Sequence, residues 1–215
     1  MDYTFPFKPV PLPYPNDGLQ PEIDNQLLEQ HYNSVYKQDV LNLNGVLYYM
    51  PTIQNWSLEE ITVQDITSEP VMMRNYAKFY AGSVYNHNLY FDSMCASQST
   101  KPSGSLLDAI LHRFGSVAQM KALLEDAART MLGSGWLWLN SEHNGDVHIA
   151  VTYDNGTPLL TQLTPIFTID VWEHAYLNQY GCRVDQYVTS WFNLLNWNKA
   201  EQRFSESLHP GASQR

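Results

Sequence analysis

The chain has 215 residues, 44% of them hydrophobic, enough for one large domain or two small ones that share a core. Its 12 basic residues against 22 acidic ones give a formal net charge of -10, which excludes nucleic acid and anionic membrane surfaces as partners, because both require a basic face. Charged residues make up only 16% while aromatics reach 13%, so an aromatic interior or an aromatic subunit interface is expected.

The N-terminal stretch MDYTFPFKPVPLPYPNDG lacks a basic segment followed by an apolar run, and its prolines would break one, so no secretory signal is expected. No stretch approaches the roughly 18 to 20 apolar residues that a membrane span needs. Cys95 and Cys182 lack a CxxC spacing and read as reduced thiols. Together these features predict a soluble, cytoplasmic protein.

From Glu22 to Asn44 no Gly or Pro interrupts the chain, and Ile23, Leu27, Leu28, Val35 and Val40 recur at helical spacing, which predicts one long helix. Ser57 with Glu60 forms a capping-box pattern that starts a shorter helix. Pro70 opens a further run of about 22 residues, PVMMRNYAKFYAGSVYNHNLYFDSM, as proline does at helix starts. These segments predict an N-terminal helical-hairpin domain over residues 1–100, and KPSGS at 101–105 reads as the domain boundary.

The second domain, 101–197, has a different texture. Two helices are expected at Leu106–Phe114 and Val117–Leu132, closed by the GSG at 133–135. Three runs follow, WLWLN from 136, VHIAVTY from 147 and TPIFTID from 164, with an Asn-Gly pair in each connection. Asn-Gly is a hairpin signal, so a three-stranded antiparallel sheet is predicted. Helices at about 173–181 and 184–195 should complete the domain, and the polar segment 198–215 reads as a flexible, disordered tail. The fold class is α+β, with no internal repeat.

Seven histidines occur. His112, His143, His148 and His209 lie beside turns or on polar faces and read as solvated. His31, His87 and His174 each sit among aromatics, in QHYNSVY, VYNHNLYF and DVWEHAYL, where a buried imidazole requires a partner or a metal. Asp170 and His174, four apart where the third strand gives way to a helix, fit either a metal-ligand pair or an Asp-to-His hydrogen bond.

Over nearly its whole length the sequence resembles the iron/manganese superoxide dismutase family, through LPYPNDGLQPEI, YNHNLYF, FGSVAQMK, GSGWLWL, GTPLL, DVWEHAY and FNLLNW in that order. The resemblance implies an N-terminal helical hairpin packed on a C-terminal α/β domain, with one Mn or Fe ion per subunit between them. The implied ligands are His31, His87, Asp170 and His174. Trp136, Trp138, Trp172 and Tyr90 would form the dry shell, and Glu173 would bridge to the partner's copy of His174 in a homodimer. Superoxide is the implied substrate.

Several positions depart from the family pattern. Where the family has a tyrosine eight residues after the first ligand, at the mouth of the substrate funnel, this chain has Asp39. The family's cross-dimer histidine and tyrosine are Val35 and Leu177, a joint change that leaves no buried polar group alone. Tyr36 is not taken as a replacement for the missing tyrosine. The outer glutamine position is Ser83 on the iron-type side and Asn155 on the manganese-type side, a slight lean to manganese with an amide one methylene short. Val184 replaces the usual funnel arginine, with Arg183 one position earlier.

The expected function is superoxide dismutation with an altered surround, the catalytic candidates being Asp39, Asn155, Trp136 and Tyr90. The alternative is a non-dismutating relative that keeps its metal for structure or interaction. A mononuclear iron enzyme activating oxygen or peroxide would need a second substrate pocket, for which the sequence carries no signature.

Overall fold

Asp24 accepts a hydrogen bond from the Leu27 amide at 2.7 Å and so starts the first helix three residues later than Glu22. The computed structural model describes residues 3–161 and 163–209. In it α1 (Asn25–Gln30) runs through a π-helical turn (His31–Tyr36) into α2 (Lys37–Leu47), making one continuous rod. Its inward residues Leu27, Leu28, Val40, Leu43 and Leu47 are buried, each worth about 1.5–3 kcal/mol of transfer free energy.

The short α3 (Leu58–Val63) carries the complete capping box, the Ser57 hydroxyl on the Glu60 amide and the Glu60 carboxylate on the Ser57 amide. The central helix α4 (Val71–Asp92) begins directly after Pro70 and packs against α2, α3 and the third strand. Its small residues Ala77, Ala81, Gly82 and Ser83 are buried and admit close neighbours.

Then come α5 (Gly104–Phe114), α6 (Val117–Thr130), β1 (Gly135–Ser141), β2 (Val147–Tyr153) and β3 (Thr164–Asp170). The sheet is antiparallel with order β2-β1-β3, which puts β1 in the middle. Every β1 residue is buried, as a central strand covered on both faces requires.

Only the first Asn-Gly pair makes a hairpin: Gly145 takes φ +91° and its amide bonds the Glu142 carbonyl. The second, Asn155-Gly156, lies in a crossover to the far edge of β1, because β2 and β3 are not neighbours. That crossover carries a 3-10 turn (Pro158–Thr161).

After β3 a 3-10 turn (Glu173–Ala175) and α7 (Leu177–Tyr180) replace the single helix expected at 173–181, divided at Tyr176, whose φ of -144° is not helical. The next helix, α8, is shorter than expected (Val184–Trp191).

The disordered tail predicted for 198–215 is corrected by α9 (Trp197–Leu208); residues 210–215 lie outside the described residues. Trp197, Ala200 and Phe204 repeat at three and four residues and are buried, an apolar stripe hidden in a polar composition. Glu201 accepts the free amides of Ser105 and Leu106 at the start of α5. Arg203, mostly buried, bonds Asp92 at 2.5 Å and the Ile166 carbonyl at 2.9 Å, joining α9 to α4 and β3.

Candidate metal centre

Four side chains from four separate elements converge where the long helices meet the sheet. His31 opens the π-helical turn, His87 lies on α4, Asp170 ends β3 and His174 sits in the 3-10 turn that follows. One donor atom from each lies within 4.8 Å of the other three. The Asp170 Oδ2 is 3.1 Å from the Nε2 atoms of His31 and His174 and 3.5 Å from that of His87, and the His31 and His87 Nε2 atoms are 3.1 Å apart.

Neighbouring donors on one first-row cation, each bonded at about 2.1 Å, stand about 3 to 3.5 Å apart. Three imidazoles and one carboxylate at that spacing fit such an ion better than they fit one another, since three Nε2 atoms crowd a single carboxylate oxygen. The wider turn at His31–Tyr36 begins at the first of the four donors, and π-type irregularities often occur at functional sites.

The protonation states suit metal binding. Burial lowers the His31 imidazole, and burial together with neighbouring His31 pushes His87 down to about 3, so both rings are neutral near pH 7. Burial alone would raise the Asp170 carboxyl, but His174 and His31 beside it hold it well below the usual range. Burial pulls His174 down as well, yet Asp170, Asp39 and Glu173 outweigh it and the net direction is upward.

The four side chains are held from behind. The His87 Nδ1 lies 2.9 Å from its own helix's Ser83 carbonyl, and the Trp172 amide donates to Asp170 Oδ1 at 2.9 Å. Trp136, opposite Asp170 in the β1–β3 register, meets the His87 ring edge-on at 5.0 Å, and Trp172 stacks on His174 at 5.8 Å. Trp138 is fully buried and bonds Thr152. Tyr90 lies 5.2 Å from the His31 ring, but its hydroxyl is used on Tyr187, and it does not line the cavity beside the four donors.

That cavity has a volume of about 190 Å³. Asp39, Ser83, Asn155, Phe79, Val35 and Trp172 surround it, and it reaches His87 and His174. Asn155 is buried, and its Oδ1 lies 3.4 Å from the Trp136 indole nitrogen. Ser83 donates to Asp39 Oδ2 at 2.5 Å, a contact that sequence spacing gave no means to find because the two residues are 44 apart. Burial raises the Asp39 carboxyl, against the lowering effect of Ser83.

Tyr36 packs 5.8 Å from the His87 ring while its hydroxyl bonds Asn88 and the Val10 amide, away from this cavity. No arginine or lysine lines the cavity among the described residues; Arg183 is exposed and bonds the Tyr180 carbonyl. Glu173 is exposed and accepts from Ser134 at 2.8 Å. A larger cavity of about 700 Å³, between α5, α6 and β2, shares no residue with the metal centre and bears on none of its chemistry.

A helical hairpin joined to a three-stranded sheet, with three imidazoles and a carboxylate between them, is the arrangement of a candidate metal-binding protein. Residues 3–95 match the model of the iron/manganese superoxide dismutase alpha-hairpin domain, and residues 102–203 match the C-terminal domain of the same family. The chain belongs to the iron/manganese superoxide dismutase family. It is 35% identical to the superoxide dismutase (Mn) of Acinetobacter baylyi over 94% of this chain and 89% of that one. It is 39% identical to the superoxide dismutase (Fe) of Salmonella typhimurium over 86% and 92%, and 34% identical to the superoxide dismutase (Mn) of Thermus aquaticus over 92% and 97%.

Proposed function

We propose that this protein dismutates superoxide at one iron or manganese ion held by His31, His87, Asp170 and His174. The convergence of those four donor atoms within 4.8 Å carries the reading, and family membership supports it. An ion held there would supply one-electron redox chemistry, by which two superoxide anions and two protons become dioxygen and hydrogen peroxide. Imidazole and carboxylate together suit iron and manganese alike, so the donor set alone does not select between them. Asn155, in the position that leans to manganese, is the residue that would orient solvent beside the ion.

The chain's own residues do the rest. His31 and His87 arrive neutral and ready to bind, while Asp170 supplies the negative charge. Trp136 holds the Asn155 amide at the cavity, and Asp39 sets the charge that an incoming anion meets there. A volume of about 190 Å³ holds about six waters at 30 Å³ each. It admits a diatomic anion and falls short of the roughly 300–1,000 Å³ of an organic-substrate pocket, which disfavours an oxygenase-type role.

We also read the protein as a two-domain homodimer with its junction at 101–105. Among the described residues nothing hydrogen-bonds the His174 Nδ1, and the exposed Glu173 next to it is available to a second copy. Free Cys95 and Cys182 fit a reducing compartment such as the cytoplasm, and among the described residues no helix is long and apolar enough to cross a membrane.

The test is the dismutation rate per bound metal atom on protein reconstituted separately with iron and with manganese. Turnover in either form is expected. Full sites with no turnover in both forms would leave the non-dismutating, metal-retaining relative as the better account.

A further inference from the structure

We propose that Ser83 connects the Asp39 carboxylate to the ligand ring of His87, so that Asp39 tunes the bound metal through a hydrogen-bonded relay and not only as a charge in the cavity. The proposal rests on the metal-site reading above. It assigns Ser83 a role as a positioning residue that acts through His87.

The geometry begins with helix spacing. Ser83 and His87 are four apart on α4, so one side chain lies a turn above the other. Asp39 reaches them from α2, which packs across α4. The Ser83 hydroxyl is 2.5 Å from Asp39 Oδ2 and 3.2 Å from His87 Nδ1. Ser83 is fully buried.

Proton counting fixes the direction of the chain. The His87 Nε2 faces the other three donors, so when it binds metal the ring proton sits on Nδ1. That proton is directed at Ser83, toward its carbonyl at 2.9 Å and its hydroxyl oxygen at 3.2 Å. A serine hydroxyl has one proton to give, and Ser83 gives it to Asp39. The sequence of bonds is therefore His87 N–H to Ser83 O–H to the Asp39 carboxylate, with each link donating toward the anion.

Carboxylates that accept from a ligand histidine raise its basicity and stabilise the higher charge on the metal. Here the carboxylate is one hydroxyl removed, and polarisation along the chain carries its influence to the ring. Loss of either link should therefore favour the reduced metal and raise the midpoint potential.

The experiment is a mediated redox titration of the iron-loaded full chain at one fixed pH above neutrality, preceded by metal analysis, for wild type, Asp39→Asn, Ser83→Ala and the double variant. Asp39→Asn keeps the shape of the side chain. Ser83→Ala leaves the His87 ring its bond to the Ser83 carbonyl, so the ring stays oriented. Both single variants should raise the midpoint potential, and Asp39→Asn should move it less than half as far in the Ser83→Ala background as in wild type. In the reduced iron form the His87 Nδ1–H resonance should move in both single variants.

Equal shifts from Asp39→Asn in both backgrounds would mean a through-space charge and overturn the relay, as would no shift in either. A wild-type protein that binds neither iron nor manganese would sink the metal-site reading and the relay with it; one that binds manganese alone is titrated in that form, with the same outcomes.

Discussion

The backbone carbonyl of Asn155 occupies the space in which a side chain at Gly82 would begin: a β-carbon there would stand 2.1 Å from that oxygen. Helix α4 and the crossover before β3 approach this closely only because position 82 is bare. Gly82→Ala should push the crossover outward, carrying the Asn155 amide from Trp136. Overpacking of this kind costs about 1–3 kcal/mol, and a misplacement near 1 Å costs up to about 100-fold in rate. Denaturant titration and turnover per metal would measure both. Gly45→Ala is the control, since nothing lies within 4 Å of its β-carbon; on an exposed helical site it should stabilise by about 0.5–1 kcal/mol. Equal effects at the two positions would refute the argument.

Asp170 is the one anionic donor in the metal centre and is fully buried. Asp170→Asn keeps the side chain's size and its bond from the Trp172 amide while removing the charge that offsets the cation. Residues that merely support a ligand are worth about 10- to 100-fold in metal affinity, so a ligand itself should cost more than about 100-fold. Metal content after dialysis against a graded chelator reads this directly. Retention equal to wild type would place the metal elsewhere.

Arg203 holds α9 to both halves of the fold, through Asp92 on α4 and the Ile166 carbonyl on β3. Arg203→Met preserves the aliphatic stem but takes this donor from the Ile166 carbonyl and leaves Asp92 paired with Lys199 alone. A hydrogen bond to a charged group contributes about 1.5–3 kcal/mol, and partial exposure of Asp92 discounts its share, so the loss should be about 2 kcal/mol. Urea unfolding would show it. An unchanged midpoint would mean that α9 contributes nothing through this contact.

These contacts mark how far the sequence alone could be read. Helix ends carrying their own signals were legible, as at the Ser57–Glu60 box and after Pro70, because capping is local. The four donor positions were legible through motif order, although spacing by itself left Asp170 and His174 divided between a metal and a hydrogen bond. What escaped depended on distant partners. Asn155-Gly156 has the composition of a hairpin, yet strand order is decided by which edge β3 joins. The stripe at Trp197, Ala200 and Phe204 was present in the sequence, but a polar average concealed it, and the surface that α9 covers, with α5 and β3 among its parts, exists only in the folded chain. Asp39 could be placed at the cavity through the family resemblance, which puts a funnel residue eight positions after His31, whereas its bond to Ser83 exists only once α2 lies across α4.

Asp39 places a carboxylate on the path of an anionic substrate, with no lysine or arginine on the cavity wall among the described residues to offset it. Asp39→Asn should raise kcat/KM at low ionic strength; one unit charge nearby is worth on the order of 1 kcal/mol, about 5-fold. Salt should shrink the difference, because ions screen the field that an approaching anion meets. Burial raises the Asp39 carboxyl, so it neutralises at a higher pH than an ordinary aspartate, and wild type and variant should converge as pH falls. Rates that differ equally at every salt concentration would remove the electrostatic account.

The metal-free protein should lose stability in acid, and the histidines give the sign. His87 is depressed from an ordinary 6.5 to about 3, and His31 is lowered in the same direction. Between those values the unfolded chain takes up protons that the folded site refuses, so stability falls as pH drops. The slope approaches about 1.4 kcal/mol per pH unit for each such group. His174, shifted upward, offsets part of the fall around 6.5 and offsets nothing once pH is well below that value, where it is protonated in both states. Asp170, held below its ordinary 3.8, adds a further loss only at lower pH, as it too becomes protonated. Bound metal stabilises the folded state until protons displace it from the same ligands. Thermal unfolding of the metal-free protein from neutral pH to about pH 4 should show the fall, and His87→Leu should flatten it by the share of one group. An unchanged slope in that variant would mean that His87 does not resist protonation in the folded chain.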